Sequence, residues 1–183
     1  MTDRLGPSPW VIRWSHLVPA GGEVLDVASG HGRHARLFLD QGHPVVAVDI
    51  DVAGVADLTS HPGLEAVEAD LEGAGPWPLP GRSFAAAVVT NYLHRPLLPE
   101  LVGAVATGGV LIYETFARGN ERLGRPSNPD YLLAPGELLE AVRGRLEVVA
   151  YENIVVSEPR PTAIQRICAR RPRANPGHGN DVM

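Results

Sequence analysis

Along most of the chain, short apolar runs alternate with amphipathic stretches. "EVLDVA" (23–28), "PVVAVDI" (44–50) and "LEAVEA" (64–69) read as strands, with "GRHARLFLDQG" (32–42) and "VAGVADLTS" (52–60) as helices between them. The near-continuous apolar run "FAAAVVTNYL" (84–93) has the pattern of a strand covered on both faces; a helical "PLLPELVGAVAT" (96–107) and a strand "GGVLIYETF" (108–116) follow it. A helix "ELLEAVRGR" (137–145) precedes two more strands, "LEVVAYENIVV" (146–156) and "TAIQRICAR" (162–170), most simply an antiparallel pair. At the front, Ser8 and Pro9 have the chemistry of an N-cap and first helical residue for "WVIRWSHLV" (10–18). This alternation predicts an open α/β sheet, mostly parallel, with helices on both faces.

Three segments break the pattern. "LEGAGPWPLPGRS" (71–83) is too rich in proline and glycine for a regular helix, and "ARGNERLGRPSNPDYLLAPG" (117–136) is longer than most connections, which marks it as a candidate functional loop. The end of the chain is expected to be a disordered tail over 172–183, leaving 1–171 as one domain, the usual size for a single core.

Composition narrows the function. With 44% hydrophobic and 20% charged residues the chain has the balance of a soluble globular protein, and it carries no apolar run long enough to span a bilayer and no signal peptide. A cytoplasmic protein without a membrane partner is expected. The net charge of −5 argues against nucleic acid as a partner. Cys168 is the single cysteine, which excludes an intrachain disulfide and a cysteine-rich zinc cage; its place in "AIQRICA" is that of a buried strand residue. All 16 basic side chains are arginines, so lysine Schiff-base chemistry and a P-loop lysine are absent.

In an open α/β sheet, ligands bind beyond the carboxyl ends of the strands. There the chain places "GHGRHA" (30–35), which fits the glycine turn of a dinucleotide site, together with Asp26, Asp49 and Asp70 near the ends of the first three strands. A nicotinamide reading uses Gly30 and Gly32 for close approach, the following helix for a pyrophosphate and Asp49 for ribose hydroxyls. Against it, carboxylates beside a pyrophosphate repel it, whereas a ligand with an ammonium, a ribose and an adenine suits all three as acceptors.

With "DVASGHG" (26–32) and the ordered aspartates, nearly the whole chain resembles the class I S-adenosylmethionine (SAM)-dependent methyltransferases, whose first motif has the form D-x-G-x-G-x-G; Ala28 stands in place of its first glycine. The compact size and "PWPLPGRSF" are most similar to small bacterial methyltransferases near the tellurite-resistance group. The resemblance implies a Rossmann-like sheet of about seven strands with an antiparallel last strand, and SAM as cofactor. It further implies that Asp26 with the backbone of Ala28, Gly30 and Gly32 holds the methionine end, Asp49 the ribose, Asp70 and Leu71 the adenine, and that Thr90 and Asn91 lie by the reactive methyl. A SAM-binding protein that transfers nothing and an NAD(P)-dependent oxidoreductase are the alternatives.

Methyl transfer needs alignment more than a catalytic triad. "TNYLHR" (90–95) is placed to meet a small-molecule acceptor, with Tyr92 and His94 as candidate bases or orienters and Arg95 as a candidate contact; it lacks the [D/N]-P-P-Y form used on exocyclic amines of nucleic acids. Arg118, Asn120, Arg122, Arg125 and Asn128 in the long loop are candidate donors for an acceptor anion, and Tyr113 and Glu114 candidate wall residues. Ser29 lacks the flanking glycines of a hydrolase elbow. His31 and His34, without a cysteine or HExxH partner, read as helix-surface histidines, and no metal is expected.

Overall fold

The computed structural model describes residues 6–173. Its strands β1 (Val24–Val27), β2 (Val45–Asp49), β3 (Leu64–Glu68), β4 (Phe84–Thr90), β5 (Val105–Phe116), β6 (Glu147–Val156) and β7 (Thr162–Arg170) form one sheet of seven, ordered β3-β2-β1-β4-β5-β7-β6. From β3 to β5 all neighbours are parallel, and β7 runs antiparallel to both β5 and β6. The chain thus steps outward from β1 to β3 and then crosses back to β4 on the other side of β1. Connections leave these two adjacent strands in opposite directions, which opens a crevice at their carboxyl ends.

Alternation along each strand sends side chains to two apolar layers. From β4, Ala87 and Val89 enter one layer and Ala86 and Val88 the other, while Phe84, before the register shift at its end of the strand, joins the first. Helices α3 (Leu98–Gly103) and α4 (Glu137–Val142) cover the first with Leu101, Val102, Leu138 and Val142. Helices α1 (Pro9–Trp14) and α2 (Arg33–Asp40) cover the second with Trp10, Val11, Ala35, Phe38 and Leu39. Each of the Val, Leu and Phe side chains among them, when fully buried, contributes about 1.5–3 kcal/mol. Cys168 lies in the second layer and burial pushes its thiol up to about 12, as expected of a strand residue.

The Ser8 cap is as read, its side chain accepting from the N–H groups of Trp10 and Val11 with Pro9 opening α1. Three elements differ from the reading. The helix expected over 52–60 is a 3-10 helix, Val52–Leu58, pressed so closely on the turn after β1 that a Cβ on Gly54 would sit 2.1 Å from the carbonyl oxygen of Gly30. The helix expected through residue 107 stops at Gly103, because Val105 already pairs with Phe84; a register shift then carries the chain through Gly108 (φ +78°) to Val110 opposite Ala86. α1 also tightens into a 3-10 turn at Ser15–Leu17. The tail expected over 172–183 lies, from 174 on, outside the described residues.

The chain leaves both β1 and β4 through left-handed residues that are not glycine, Ala28 (φ 52°) and Asn91 (φ 57°). Asparagine tolerates this region better than alanine does. The left-handed backbone costs Ala28 roughly 1–2 kcal/mol, of which glycine's greater unfolded-state entropy returns roughly 0.4–1 kcal/mol. Ala28→Gly is therefore expected to stabilise the fold by about 0.5–1 kcal/mol, a rise of a few degrees in Tm measured by thermal unfolding. A fall in Tm would show that the strain is absent.

Candidate functional site

A cavity of about 610 Å³ opens at the carboxyl ends of β1 and β4. Its floor is Ala28, Ser29, Gly30 and His31 from the turn after β1; Thr90, Asn91 and Tyr92 follow β4, Arg33 reaches in from α2, and Gly6 and Pro7 close the outer side.

One backbone donor of this turn and one in the helix after it are occupied by the chain's own carboxylates. Asp49 Oδ2 accepts from the N–H of Gly30 at 2.8 Å while its Oδ1 accepts from Asp51 at 3.1 Å. Asp26 Oδ2 accepts from Ala35 at 3.0 Å, in the first turn of α2. Gly30 (φ +53°) faces open space, whereas a Cβ on Gly32 (φ +67°) would lie 2.4 Å from Val55. The two glycines thus do different work: Gly30 leaves the cavity floor bare, and Gly32 lets the 3-10 helix close beneath it.

Asp26, expected to reach the methionine end of a cofactor, is 2% exposed and is not among the residues that line the cavity. Beside it stands His34, which the sequence reading placed on the helix surface; it is equally buried and accepts the N–H of Ser8 on Nε2 at 3.1 Å. A backbone N–H can only donate, so Nε2 carries the lone pair and the ring proton sits on Nδ1, 3.9 Å from Asp26 Oδ1. Burial lowers the His34 pKa to about 3 and raises that of Asp26 to about 7, where Arg33 and the Ala35 hydrogen bond oppose the rise.

Asp70 is exposed, turns its Oδ1 onto the N–H of Glu72 at 3.0 Å, and is followed by half-buried Leu71. Tyr92 packs against the core beside Leu71, with its hydroxyl oxygen buried and near Glu72 without meeting hydrogen-bond geometry. Burial, then the charges of Glu72, Asp70 and Asp49, hold its phenol well above the usual range. Asn91 is exposed at the cavity mouth, and its N–H donates to Glu114 O at 2.9 Å. His94 is half-buried ahead of the 3-10 turn Arg95–Leu97 and outside the cavity lining.

Several acceptor candidates prove to hold the structure together. Arg95 donates from Nε and Nη2 to the Glu137 carboxylate at 2.7 and 3.1 Å, and from Nη1 and Nη2 to the carbonyls of Asp130 and Leu132. Asn120, 1% exposed, bridges Pro126 O and the N–H of Ala163. Asn128 caps a 3-10 turn through Asp130 N. Glu114 accepts from Ser8 Oγ at 2.7 Å and from Arg166 Nη1 at 3.0 Å, and the Tyr113 hydroxyl is committed to Tyr92 O at 2.8 Å. Arg118, Arg122 and Arg125 are exposed and form no salt bridge among the described residues.

The sequence reading passed over Arg33, which spans the cavity wall from Gly6 O (3.2 Å) to Thr90 Oγ1 (3.1 Å). Its signal was its position: a cation opening a helix opposes the helix dipole, an arrangement that favours an anion nearby. Gly54 carried no local signal.

Asp26 and His34 predict opposing pH dependences. The unfolded His34 ring takes up a proton below 6.5 that the folded ring refuses until about 3, so its contribution is lost as pH falls through that window. The folded Asp26 carboxyl keeps a proton up to about 7 that the unfolded one loses near 3.8, so its contribution is lost as pH rises. Each slope reaches about 1.4 kcal/mol per pH unit, and the two offset one another. In denaturant unfolding between about pH 4 and 6.5, Asp26→Asn is expected to grow less stable toward acid and His34→Gln more stable. Identical slopes in the two variants would refute the assignment.

No family model and no curated protein matches the sequence. Solved structures do match. TehB from Haemophilus influenzae superposes with a TM-score of 0.68 at 17% identity over 88% of this chain and 61% of its own, so the chain spans about three fifths of that protein. An S-adenosylmethionine-dependent methyltransferase from Mesorhizobium loti gives 0.68 at 18% identity, over 87% of this chain and 96% of its own. The 1,6-didemethyltoxoflavin-N1-methyltransferase from Burkholderia thailandensis, with 1,6-didemethyltoxoflavin and S-adenosylhomocysteine bound, gives 0.67 at 21% identity, over 89% and 76%. What is shared at these identities is the architecture: the chain has the fold of the SAM-dependent methyltransferases.

Proposed function

We propose that this chain is a SAM-dependent methyltransferase acting on a small anionic molecule. The observation that carries the proposal is the pair of carboxylates on the glycine turn. A pyrophosphate is held by the free N–H groups of such a turn and of the helix after it. Here Asp49 already accepts from Gly30 and Asp26 from Ala35, so a phosphate would meet carboxylate oxygens where it needs donors. A nucleoside without phosphate meets no such conflict, and Asp49 keeps lone pairs for ribose hydroxyls.

In this reading the bare backbone of Ala28 and Gly30 receives the methionine end, Arg33 its carboxylate, and Asp70 with the backbone of Leu71 the adenine. Asp26 supports the turn from beneath. The bound cofactor supplies a methyl group on a cationic sulfur, already activated toward in-line attack. The chain's task is then to align the acceptor and exclude water. With its pKa raised, the Tyr92 phenol stays protonated at neutral pH, so it serves as wall and orienter. This favours an acceptor that arrives with a free lone pair. Arg118, Arg122 and Arg125 lie in the loop that springs from the carboxyl end of β5, beside β4; Arg160 joins Arg125 there through its carbonyl at 3.4 Å. These guanidinium groups favour a carboxylate or another anion on the acceptor.

Calorimetric titration with SAM, S-adenosylhomocysteine and NADH in parallel tests the cofactor. Binding of the two adenosyl compounds alone is the expected result, and binding of NADH alone would overturn the proposal. Asp49→Ala is expected to weaken S-adenosylhomocysteine at least tenfold, since a hydrogen bond to a charged group is worth roughly 1.5–3 kcal/mol. Unchanged affinity in the variant would remove Asp49 from the site.

A further inference from the structure

Gly6 and Pro7 form the outer side of the cavity and lead into Ser8, the N-cap of α1; three buried or half-buried side chains hold this segment. Arg33 Nη1 donates to Gly6 O at 3.2 Å while Nη2 of the same guanidinium grips Thr90 at the end of β4. His34 accepts the Ser8 N–H at 3.1 Å. Glu114 accepts the Ser8 hydroxyl at 2.7 Å and is itself fixed by Arg166 at 3.0 Å. The anchors Arg33 and His34 open the helix that follows the cavity floor, so the outer wall and the floor are tied to the same two consecutive residues.

An N-cap residue ordinarily leaves its own N–H without a partner inside the helix; here that donor points at a histidine that is 2% exposed. The ring is packed against the Asp26 carboxyl and carries its proton on the far nitrogen, so its acceptor is aimed at this one donor. We infer that His34, acting through Ser8, is a positioning residue that latches Gly6–Ser8 across the cavity and thereby slows release of the adenosyl ligand. The inference rests on the cofactor reading above for the ligand, and on the hydrogen bonds alone for the latch.

Both parts are testable on the full chain. By hydrogen exchange, the Ser8 amide of the ligand-free protein is expected to be protected, to lose that protection in His34→Leu and to regain part of it in His34→Gln, whose amide oxygen is also an acceptor. In stopped-flow measurements, S-adenosylhomocysteine is expected to leave folded His34→Leu several-fold to about tenfold faster than wild type, the factor for one hydrogen bond of ordinary strength, with His34→Gln between the two. An unprotected Ser8 amide in the wild type would overturn the latch without needing any variant to fold. A protected Ser8 with equal release rates would overturn the retention role and leave the cofactor reading intact. Failure of the wild type to bind S-adenosylhomocysteine would overturn retention and that reading together, while Ser8 exchange still decides the latch.

Discussion

The hydrogen bond from the Gly30 N–H to the Asp49 carboxylate is the contact on which the shape of the turn after β1 depends. It joins the turn after β1 to the end of β2 and fixes one Asp49 oxygen on Gly30, whose backbone is left-handed with open space on the side a Cβ would occupy. Asp26 repeats the arrangement one layer down, on the first turn of α2. A glycine turn followed by a helix is intrinsically an anion site. In this chain part of that capacity is met internally, by Asp49 on Gly30 and by Asp26 on Ala35.

The site is also the place where the backbone departs from comfortable geometry. Ala28 and Asn91 follow adjacent strands, and both turn left-handed within one layer of the sheet. The paired strands β1 and β4 beneath them run parallel in unbroken register from Val24 to Val27, and their side chains are buried in apolar layers on both faces. Strain persists only where the surroundings over-determine it, and Ala28 follows directly on Val27, which is buried and paired with Val89. The packing of the sheet thus sustains the cost of shaping the floor.

How much of this was legible in the sequence follows from the range of each interaction. All seven strands were readable because alternation is a local property, and the Ser8 cap because its partners lie two and three residues away. The glycine turn after β1 was readable for the same reason, its residues being adjacent in the chain. The early start of β5 was not, since it depends on Phe84 accepting Val105 as a partner. His34 looked like a surface residue because its acceptor role is defined by Ser8, 26 positions away, and Glu114 looked like a wall residue because its partner Ser8 is 106 positions away. The 3-10 form of Val52–Leu58 likewise answers to a carbonyl across the fold, that of Gly30.

The long loop shows the same distinction at work on function. Its residue types advertised donors for an anion, yet the structure divides them. Asn120, Asn128 and neighbouring Arg95 have their hydrogen-bonding capacity met by carbonyls, backbone N–H groups and Glu137. These contacts are what give a 20-residue connection (117–136) a defined path, from the bridge between Ala117 and Leu133 to the helix that begins at Glu137. A side chain so engaged gives up internal bonds to bind a ligand, and leaving its partners unsatisfied costs about 1–3 kcal/mol. Arg118, Arg122 and Arg125 are exposed and form no salt bridge among the described residues, so they bear no such cost, and the loop separates into a hydrogen-bonded frame and a cationic rim.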